Sequence, residues 1–403
     1  MALHGDERAS ALQIGLRRLS WPALAAALTG RYSRRADGLS AEQIGGALFR
    51  GVLGRDPPDW AWEKLLLSEQ GVEEAVRTLI ASPEFRTLML KTLVPAGELP
   101  DLIQAMPERY EIQSIGGSPL RVYVGRCDDD ITLVESLIEK HRYYDRFGAA
   151  TPVIDLDKQI TATIVRGLGA TSCFDLGCFT GTVLSLLADA GVRVVGMEAS
   201  HLAFAFAYPN IRDAMIFGDL LTSDGVEGKF DVILCMDVLE HLNPMRLDAY
   251  IEKILSLLTD DGYLYVNSPM FGADPTFGIV EAPYLTEWES VGDSSYWRHW
   301  PCDERGWPLH GHLIWATPGW WTGKFQAHGL VREHAIEQVI QQNLGAFFQY
   351  APGRRSLFVL GRAGNQGAGT RVAGDIEAAL SSLPNLPKPE PNLPKPEPRA
   401  QPA

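Results

Sequence analysis

Residues 173–181 read Cys-Phe-Asp-Leu-Gly-Cys-Phe-Thr-Gly, a stretch that predicts a buried strand, a tight glycine turn and the start of a helix. The strand is expected to end at Asp175, the turn to pass through Gly177 and Gly181, and the helix to begin at Thr182. Glycine adopts the backbone angles of tight turns and lets a ligand approach the main chain closely. Free N–H groups in the first turn of a helix then point towards that ligand. The stretch therefore predicts a ligand site at the carboxyl end of a strand.

A second acid follows at a spacing typical of nucleoside binding. Residues 192–197 predict the next strand, which delivers Glu198 23 residues after Asp175. In mononucleotide-binding folds an acid about 20 residues beyond the glycine turn meets the ribose. The dinucleotide-binding pattern Gly-x-Gly-x-x-Gly is missing. The acid just before the turn would repel a pyrophosphate, whereas it suits a ligand that carries an amine and a sulfonium. A nicotinamide-dependent oxidoreductase is therefore disfavoured.

The stretch resembles motif I of class I S-adenosylmethionine-dependent methyltransferases, whose usual form is Asp-x-Gly-Cys-Gly-x-Gly. The chain departs from this form at Phe179, where the family usually has glycine, and an aromatic residue tolerates positive φ poorly. Further similarities follow in the same order along the chain. Residues 214–219 resemble the third strand with its terminal acid, residues 230–242 the fourth strand with its loop, and residues 260–269 the fifth strand.

The resemblance implies an α/β fold with a doubly wound, Rossmann-like, seven-stranded and mostly parallel sheet, and S-adenosyl-L-methionine as the cofactor. The residues that it implies for the cofactor pocket are Asp175, Gly177, Cys178, Gly181, Glu198, Asp219, Leu220 and Asp237. Among them, the acid after the third strand is expected to meet the adenine amino group. A doubly wound domain without this cofactor is the alternative, because a fold alone does not fix function.

Three histidines are the candidate catalytic residues: His241, His310 and His312. His241 follows the fourth strand, where the methyl group would be presented, and its ordinary pKa near 6.5 suits a general base. His310 and His312 face the same side if they lie on a strand, and a structural role for them is the alternative. Some relatives bind a divalent metal through Glu-x-x-Glu-His at this loop. This chain has Asp237-x-x-Glu240-His241, so the metal stays an open question.

Tryptophan is concentrated after the fifth strand, with seven of the ten tryptophans between Trp288 and Trp321. Residues 270–330 are therefore predicted to form an aromatic insert that shapes the acceptor pocket, because tryptophan offers a flat apolar face with one N–H donor. Such a face suits a sugar ring, an aromatic ring or an acyl group. The alternative is a small aromatic sub-core that packs the insert.

Composition narrows the partners and the compartment. The 403 residues carry a net charge of −14, and no basic stripe is evident in the core of the chain, so a nucleic-acid partner is not expected. Five scattered cysteines without a Cys-x-x-Cys pair favour a reducing cytoplasm without a disulfide framework or zinc knuckle. No stretch approaches the roughly 20 apolar residues of a membrane span.

The chain is predicted to divide into five segments: an N-terminal arm (1–39), a small all-α docking module (40–92), a linker with lead-in elements (93–150), the methyltransferase domain (151–362) and a disordered Pro-rich tail (363–403). Residues 47–55 with 81–85 resemble a bacterial helical module similar to phycobilisome-linker-like domains. The tail repeats Pro-Asn-Leu-Pro-Lys-Pro-Glu in tandem, which cannot bury enough apolar surface to fold. A protein partner is expected to bind the helical module or the tail.

These features predict an S-adenosylmethionine-dependent methyltransferase that acts on a small molecule or a glycan, with oxygen as the favoured acceptor atom. Two alternatives stay open at this point. One is a protein that keeps the cofactor pocket for scaffolding without catalysis, and the other is a protein methyltransferase.

Overall fold

The computed structural model describes residues 98–115, 118–146, 154–280, 298–364, 369–383 and 386. The predicted N-terminal arm, the helical module of residues 40–92 and nearly all of the proline-rich repeat lie outside these residues. Within the described ranges, no helix combines the length and the hydropathy needed to cross a bilayer. All five cysteines are free thiols.

The described residues fall into two compact units. The larger unit contains residues 99–140, 154–199 and those from 207 onward. The smaller unit includes residues 141–146 and 200–206, in which the Ser200 hydroxyl donates to Asp145 Oδ1 at 2.7 Å.

The lead-in region of the larger unit has more regular structure than a linker. It contains helix α1 (Leu102–Ala105), strand β1 (Tyr110–Ile115), strand β2 (Ser118–Val124) and helix α2 (Asp128–Lys140). Strands β1 and β2 pair antiparallel. Residues 102–115 of the segment predicted as a linker with lead-in elements therefore contain a helix and a strand.

From residue 154 the elements alternate between helix and strand, as in an α/β domain. They are α3 (Leu156–Gly167), β3 (Ser172–Leu176), α4 (Thr182–Asp189), β4 (Arg193–Glu198), α5 (His201–Ala205, in the smaller unit), β5 (Met215–Phe217), β6 (Phe230–Met236), α6 (Leu247–Leu257), β7 (Leu258–Asn267), β8 (Gly272–Asp274), β9 (Gly278–Val280), β10 (His299–Pro301), α7 (Pro318–Ala327), β11 (Leu330–Arg332), α8 (His334–Leu344), α9 (Phe347–Tyr350), β12 (Leu357–Arg362) and α10 (Gly369–Ser381).

The central sheet has seven strands in the order β11-β12-β7-β6-β3-β4-β5. Strands β7, β6, β3, β4 and β5 are mutually parallel, whereas β12 runs antiparallel to both of its neighbours. Every residue of β3 is buried, as expected for a parallel strand that is covered on both faces. The predicted fold class, a doubly wound and mostly parallel seven-stranded sheet, is confirmed.

The sheet order puts the functional residues at one edge. Strand order reverses between β3 and β6, and parallel α/β sheets bind ligands beyond the carboxyl ends of their strands at such a point. The carboxyl ends of β3 and β6 are in register, with Leu176 opposite Cys235. The loops that follow these two strands therefore emerge side by side.

The beginning of the predicted disordered tail is a helix. In α10 the side chains of Val372, Ile376 and Leu380 are buried, and they recur at the four-residue spacing of one helical face. The helix packs against α3 and α8. Ile376 lies so close to Gly167 of α3 that a Cβ on that glycine would be 2.8 Å from Ile376 Cγ1. Disorder was therefore the wrong prediction for residues 369–381.

Candidate functional site

The glycine turn after β3 has the predicted conformation. Gly177 has φ 70° and Gly181 has φ 72°, both in the left-handed region. The N–H groups of Gly177 and Cys178 donate to the carbonyl oxygen of Met197 in β4, at 2.8 and 3.1 Å. The turn is thereby fastened to the neighbouring strand, and α4 begins at its far end.

Phe179 takes a left-handed conformation, with φ 52°, that its aromatic side chain disfavours. Its N–H donates to Glu198 Oε2 at 2.8 Å, and a charge-assisted bond of this kind offsets part of the backbone strain. The acid predicted at the end of β4 thus organises the glycine turn, and its contact with a ribose stays a prediction.

Asp175 and Glu198 lie at the ends of adjacent strands and are both largely buried. The pKa of the Asp175 carboxyl is raised well above its ordinary value, first by burial and then by the charge of Glu198. Two buried carboxyl groups therefore lie close together beside the glycine turn.

Asp219 lies next to this pair, because Gly218 N–H donates to the carbonyl of Glu198 at 3.0 Å. The carboxylate of Asp219 accepts from the Tyr250 hydroxyl and from the backbone N–H of Leu221, the latter at 3.0 Å. Its neighbour Leu220 is buried. Asp219 is therefore held in place by protein groups, and its contact with an adenine amino group stays a prediction.

Asp237 follows β6 on the other side of β3, and its backbone is also left-handed, with φ 56°. Its N–H donates to the carbonyl of Asn267 at 2.7 Å, and its Oδ2 lies 2.6 Å from Arg354 Nη1. Sequence reasoning named Asp237 but missed Arg354 and Asn267. Arg354 comes 117 residues after Asp237, and no motif links the two positions.

A second group of side chains, the Glu240–His241–His312 cluster, forms next to this loop. One ligand atom from each of the three residues lies within 4.8 Å of the others. Nε2 of His241 and Nε2 of His312 are each 4.0 Å from Glu240 Oε1. The backbone brings them together, because the carbonyl of Glu240 accepts from the N–H groups of Leu313 and Ile314 at 2.7 and 2.9 Å.

The cluster is buried and incomplete. Glu240 is fully buried; the Ser268 hydroxyl acts on its carboxylate without full hydrogen-bond geometry, and Nδ1 of His312 has no hydrogen-bond partner. Burial, followed by the charge of Asp237, raises the pKa of Glu240 well above its ordinary value. Burial likewise lowers the pKa of His241 to about 4, and that of His312 well below 6.5. Burial therefore disfavours the charged form of each of the three groups.

The hydrogen bond of His241 fixes which ring nitrogen faces the cluster. Nδ1 of His241 lies 3.2 Å from the carbonyl oxygen of Gly311. A carbonyl only accepts, so we assign the proton to Nδ1 and the lone pair to Nε2, the atom that faces Glu240. A neutral imidazole oriented by a backbone carbonyl is also the usual arrangement of a metal-binding histidine.

His310 does not share a strand with His312, so that expectation was wrong. His310 lies in a short 3-10 turn, Leu309–Gly311, and has φ 57°. Its ring centroid is nevertheless 5.5 Å from that of His312, and the His312 and His241 centroids are 4.8 Å apart. The three predicted histidines are thus brought together by a tight turn rather than by strand alternation.

The described tryptophans of the insert form a sub-core. Trp300, Trp307, Trp315 and Trp321 are almost completely buried. Trp300 stacks on Tyr123 of β2 with ring centroids 5.1 Å apart, and its indole N–H donates to the carbonyl of Leu313 at 2.6 Å. Trp300 and Trp315, whose ring centroid lies 4.8 Å from that of His312, therefore support the segment that carries His312. Trp288 and Trp297 lie outside the described residues.

The fold and the site define a class of protein. A seven-stranded sheet of this order, with one antiparallel strand, a glycine turn after β3 and an acid at the end of β4, is the class I methyltransferase architecture. Residues 144–335 match the family model described as a methyltransferase domain. The chain therefore carries a methyltransferase domain of the class that uses S-adenosylmethionine.

Curated relatives are similar over part of this domain. The chain is 28% identical over 127 residues to a ubiquinone biosynthesis O-methyltransferase of Pelagibacter ubique, which covers 29% of the chain and 50% of that protein. It is 31% identical over 88 residues to a magnesium-protoporphyrin O-methyltransferase of Synechocystis sp., which covers 21% of the chain and 38% of that protein. The chain thus spans half or less of the length of these relatives.

A solved structure with a likeness to the chain is the 1,6-didemethyltoxoflavin-N1-methyltransferase of Burkholderia thailandensis, with bound 1,6-didemethyltoxoflavin and S-adenosylhomocysteine. The two share 16% sequence identity with a TM-score of 0.34, over 53% of this chain and 85% of that one.

Proposed function

We propose that the protein transfers the methyl group of S-adenosylmethionine to a hydroxyl of a small molecule or a glycan. The observation that carries the proposal is the incomplete Glu240–His241–His312 cluster next to the loop that follows β6. In parallel sheets this loop lies at the ligand-binding edge, so the cluster is placed to meet an acceptor. The O-methyltransferases among the curated relatives support oxygen as the acceptor atom. The five free thiols favour a reducing cytoplasm as the place of action.

In this proposal each of the predicted site residues has a separate role. Asp175, Glu198 and the turn from Gly177 to Gly181 hold the cofactor, while Asp219, Leu220 and Asp237 border it. Methyl transfer is an in-line displacement, so the protein must align the acceptor with the methyl group and take a proton from the hydroxyl. Nε2 of His241 accepts that proton through its lone pair. Glu240 and His312 are the buried neighbours of the His241 ring. His310 borders the cluster through the ring of His312.

A titration separates this proposal from a nicotinamide-dependent reaction. Isothermal calorimetry is expected to show binding of S-adenosylhomocysteine and no binding of NAD. Methyl-labelled S-adenosylmethionine is then incubated with three fractions of a bacterial lysate: low-molecular-mass compounds, polysaccharide and protein. Label in either of the first two fractions supports the proposal. Label confined to protein identifies a protein methyltransferase, and binding without any transfer identifies a scaffold.

A divalent cation is a second candidate occupant of the cluster. The residues fit it: one buried carboxylate, one imidazole oriented by a backbone carbonyl, and a second imidazole with an unpartnered nitrogen. Glu240, His241 and His312 would hold the ion, and this mixed set of nitrogen and oxygen ligands suits several divalent metals. A bound cation would supply Lewis-acid activation of the acceptor hydroxyl. Calorimetry with Mn²⁺ and Zn²⁺ on the wild type and on Glu240→Gln tests it, and equal binding by both proteins would exclude the cluster as the site.

A further inference from the structure

One guanidinium group joins three elements at the carboxyl edge of the sheet. Arg354 belongs to a 3-10 turn, Pro352–Arg355, that precedes β12. Its Nη1 lies 2.6 Å from Asp237 Oδ2 after β6 and 2.8 Å from Asn267 Oδ1 at the end of β7. Its Nε lies 3.0 Å from Asp157 Oδ1 in the first turn of α3. The Arg354 side chain is 24% exposed and that of Asp157 17%, whereas the Asp237 side chain is 42% exposed.

The turn that leads to the cluster begins in an unfavourable backbone conformation. Asp237 has φ 56°, a left-handed conformation that a non-glycine residue keeps only where its surroundings hold it. Two groups fix Asp237: the carbonyl of Asn267 accepts from its N–H, and Arg354 binds its carboxylate. The 3-10 turn Leu239–His241, which carries two residues of the cluster, follows directly.

Arg354 also places a positive charge directly beside the Asp237 carboxylate. The planar guanidinium reaches three partners at once, which a lysine ammonium on a flexible stem does not reproduce. A lysine at this position would therefore keep the charge and lose most of the geometry.

We infer that Arg354 is a positioning residue for methyl transfer, which fixes Asp237 and through it the turn that aims Glu240 and His241 at the acceptor. The inference rests on the proposed function for its effect on turnover. An arginine with a merely structural role would affect the stability of the fold and the affinity for the cofactor together. A positioning residue lowers kcat by a much larger factor than it weakens S-adenosylhomocysteine binding, to which Asp237 contributes only at the border of the cofactor.

The experiment is a double-mutant cycle of Arg354→Gln and Asp237→Asn, with Arg354→Lys as the conservative variant and Asp157→Asn as the matched control. The control removes the other carboxylate that contacts Arg354 and leaves Asp237 in place. Turnover is measured with methyl-labelled S-adenosylmethionine on whichever lysate fraction, low-molecular-mass compounds or polysaccharide, the wild type labels. Affinity for S-adenosylhomocysteine and the unfolding temperature are measured for each variant.

Arg354→Gln is expected to lower kcat by roughly 10- to 100-fold with less than about a threefold change in S-adenosylhomocysteine affinity, and Arg354→Lys is expected to recover part of the loss. In the Asp237→Asn background, Arg354→Gln should add little, because residues that act as a unit are not additive. Wild-type kcat in Arg354→Gln, additive losses in the cycle, or an equal loss in Asp157→Asn would each overturn the inference.

A second readout needs no acceptor and separates failure of the inference from failure of the proposed function. The ring ¹⁵N–¹H signals of His241 are recorded by NMR in the S-adenosylhomocysteine complex. Positioning predicts that they shift in Arg354→Gln and stay in place in Asp157→Asn. If the wild type transfers no methyl group but the His241 signals shift as expected, the proposed function fails and the positioning role stands. If the His241 signals are unchanged in Arg354→Gln, the positioning role is rejected.

Discussion

Gly177 and Val238 come into close contact where the loops after β3 and β6 meet. A Cβ on Gly177 would lie 2.3 Å from Val238 Cγ2, much closer than any ordinary carbon–carbon contact. Gly177 also has φ 70°. The position therefore excludes a side chain for two independent reasons, one steric and one conformational. The contact links the predicted cofactor turn to the loop that carries Asp237.

Gly177→Ala is expected to destabilise the protein through both effects. The left-handed backbone alone costs an alanine about 1–2 kcal/mol, and displacement of Val238 adds to that cost. Gly169→Ala is the matched control, because Gly169 has φ 79° and open space around its Cβ position. Urea unfolding should show a larger loss of unfolding free energy for Gly177→Ala than for Gly169→Ala. Adding Val238→Ala to Gly177→Ala should recover only the difference between these two losses. Equal losses in the two glycine variants would contradict the steric part of the argument.

Glu198→Ala is expected to weaken S-adenosylhomocysteine binding by roughly 10- to 100-fold, since hydrogen bonds to a charged group contribute about 1.5–3 kcal/mol. The substitution also leaves the N–H of Phe179 without its acceptor, in a residue whose φ is 52°. Glu198→Gln keeps an acceptor for that N–H and removes the charge, so it should fall between the wild type and alanine. Calorimetry measures the affinities, and unchanged binding in a well-folded Glu198→Ala would remove Glu198 from the pocket.

Local pattern in the sequence was sufficient to predict most of the sheet. Apolar runs of five to seven residues bounded by turn residues identified β3, β4 and β6, and the glycine spacing located the turn after β3. The same reasoning failed for α10, because its apolar residues lie beside a proline-rich repeat whose composition dominated the interpretation. It also placed His310 and His312 on a strand, where the preceding Pro308 and the left-handed His310 instead form a tight turn.

The cluster was predictable only in its residue types. Glu240 and His241 are adjacent in the sequence, but His312 reaches them through hydrogen bonds between the Glu240 carbonyl and the backbone of Leu313 and Ile314. Arg354 gave no signal, because a single arginine before a strand is usually an exposed side chain. Contacts between residues more than 70 positions apart depend on how the loops pack, and a one-dimensional pattern does not contain that information.

Low pH should destabilise the amino-terminal edge of the sheet, because it protonates the Asp231 carboxylate. Burial alone would raise the pKa of the Asp231 carboxyl, but hydrogen bonds from the side chains and N–H groups of Thr171 and Ser172 outweigh burial and lower it. A depressed folded-state pKa means that the stabilisation is present above the unfolded value near 3.9 and is lost as the pH falls through the folded pKa. Asp231→Asn should therefore be less stable than the wild type at pH 7.

Urea unfolding measured between pH 7 and pH 3 checks this dependence. The gap in stability between the wild type and Asp231→Asn should narrow as the pH falls below about 4. Asp375→Asn, which removes an exposed carboxylate on α10, is the control and should show a much smaller gap at pH 7. A gap that stays constant with pH would show that the hydrogen bonds to Asp231 do not depend on its charge.

Ile376→Ala should destabilise the larger unit by about 2–4 kcal/mol, the usual cost of removing a large buried aliphatic side chain. Ile376 is fully buried and packs against Gly167 of α3. Glu377→Ala, on the exposed face of the same helix, is the control and should change stability by less than about 0.5 kcal/mol. Equal stability of the two variants would mean that α10 does not belong to the cooperative core.

His312 and His310 should differ in their effect on turnover. Nε2 of His312 is 4.0 Å from Glu240 Oε1 and the ring is nearly buried, whereas His310 is partly exposed and contacts the ring of His312. A group that takes part in proton transfer contributes roughly 10²- to 10⁴-fold to the rate. His312→Gln is therefore expected to lower turnover on the low-molecular-mass fraction of a lysate by at least 10²-fold, and His310→Gln by much less. Both should keep wild-type affinity for S-adenosylhomocysteine, because the cofactor residues lie at the ends of β3, β4 and β5. Full activity in both variants would remove these two histidines from the reaction and leave His241 as the remaining base.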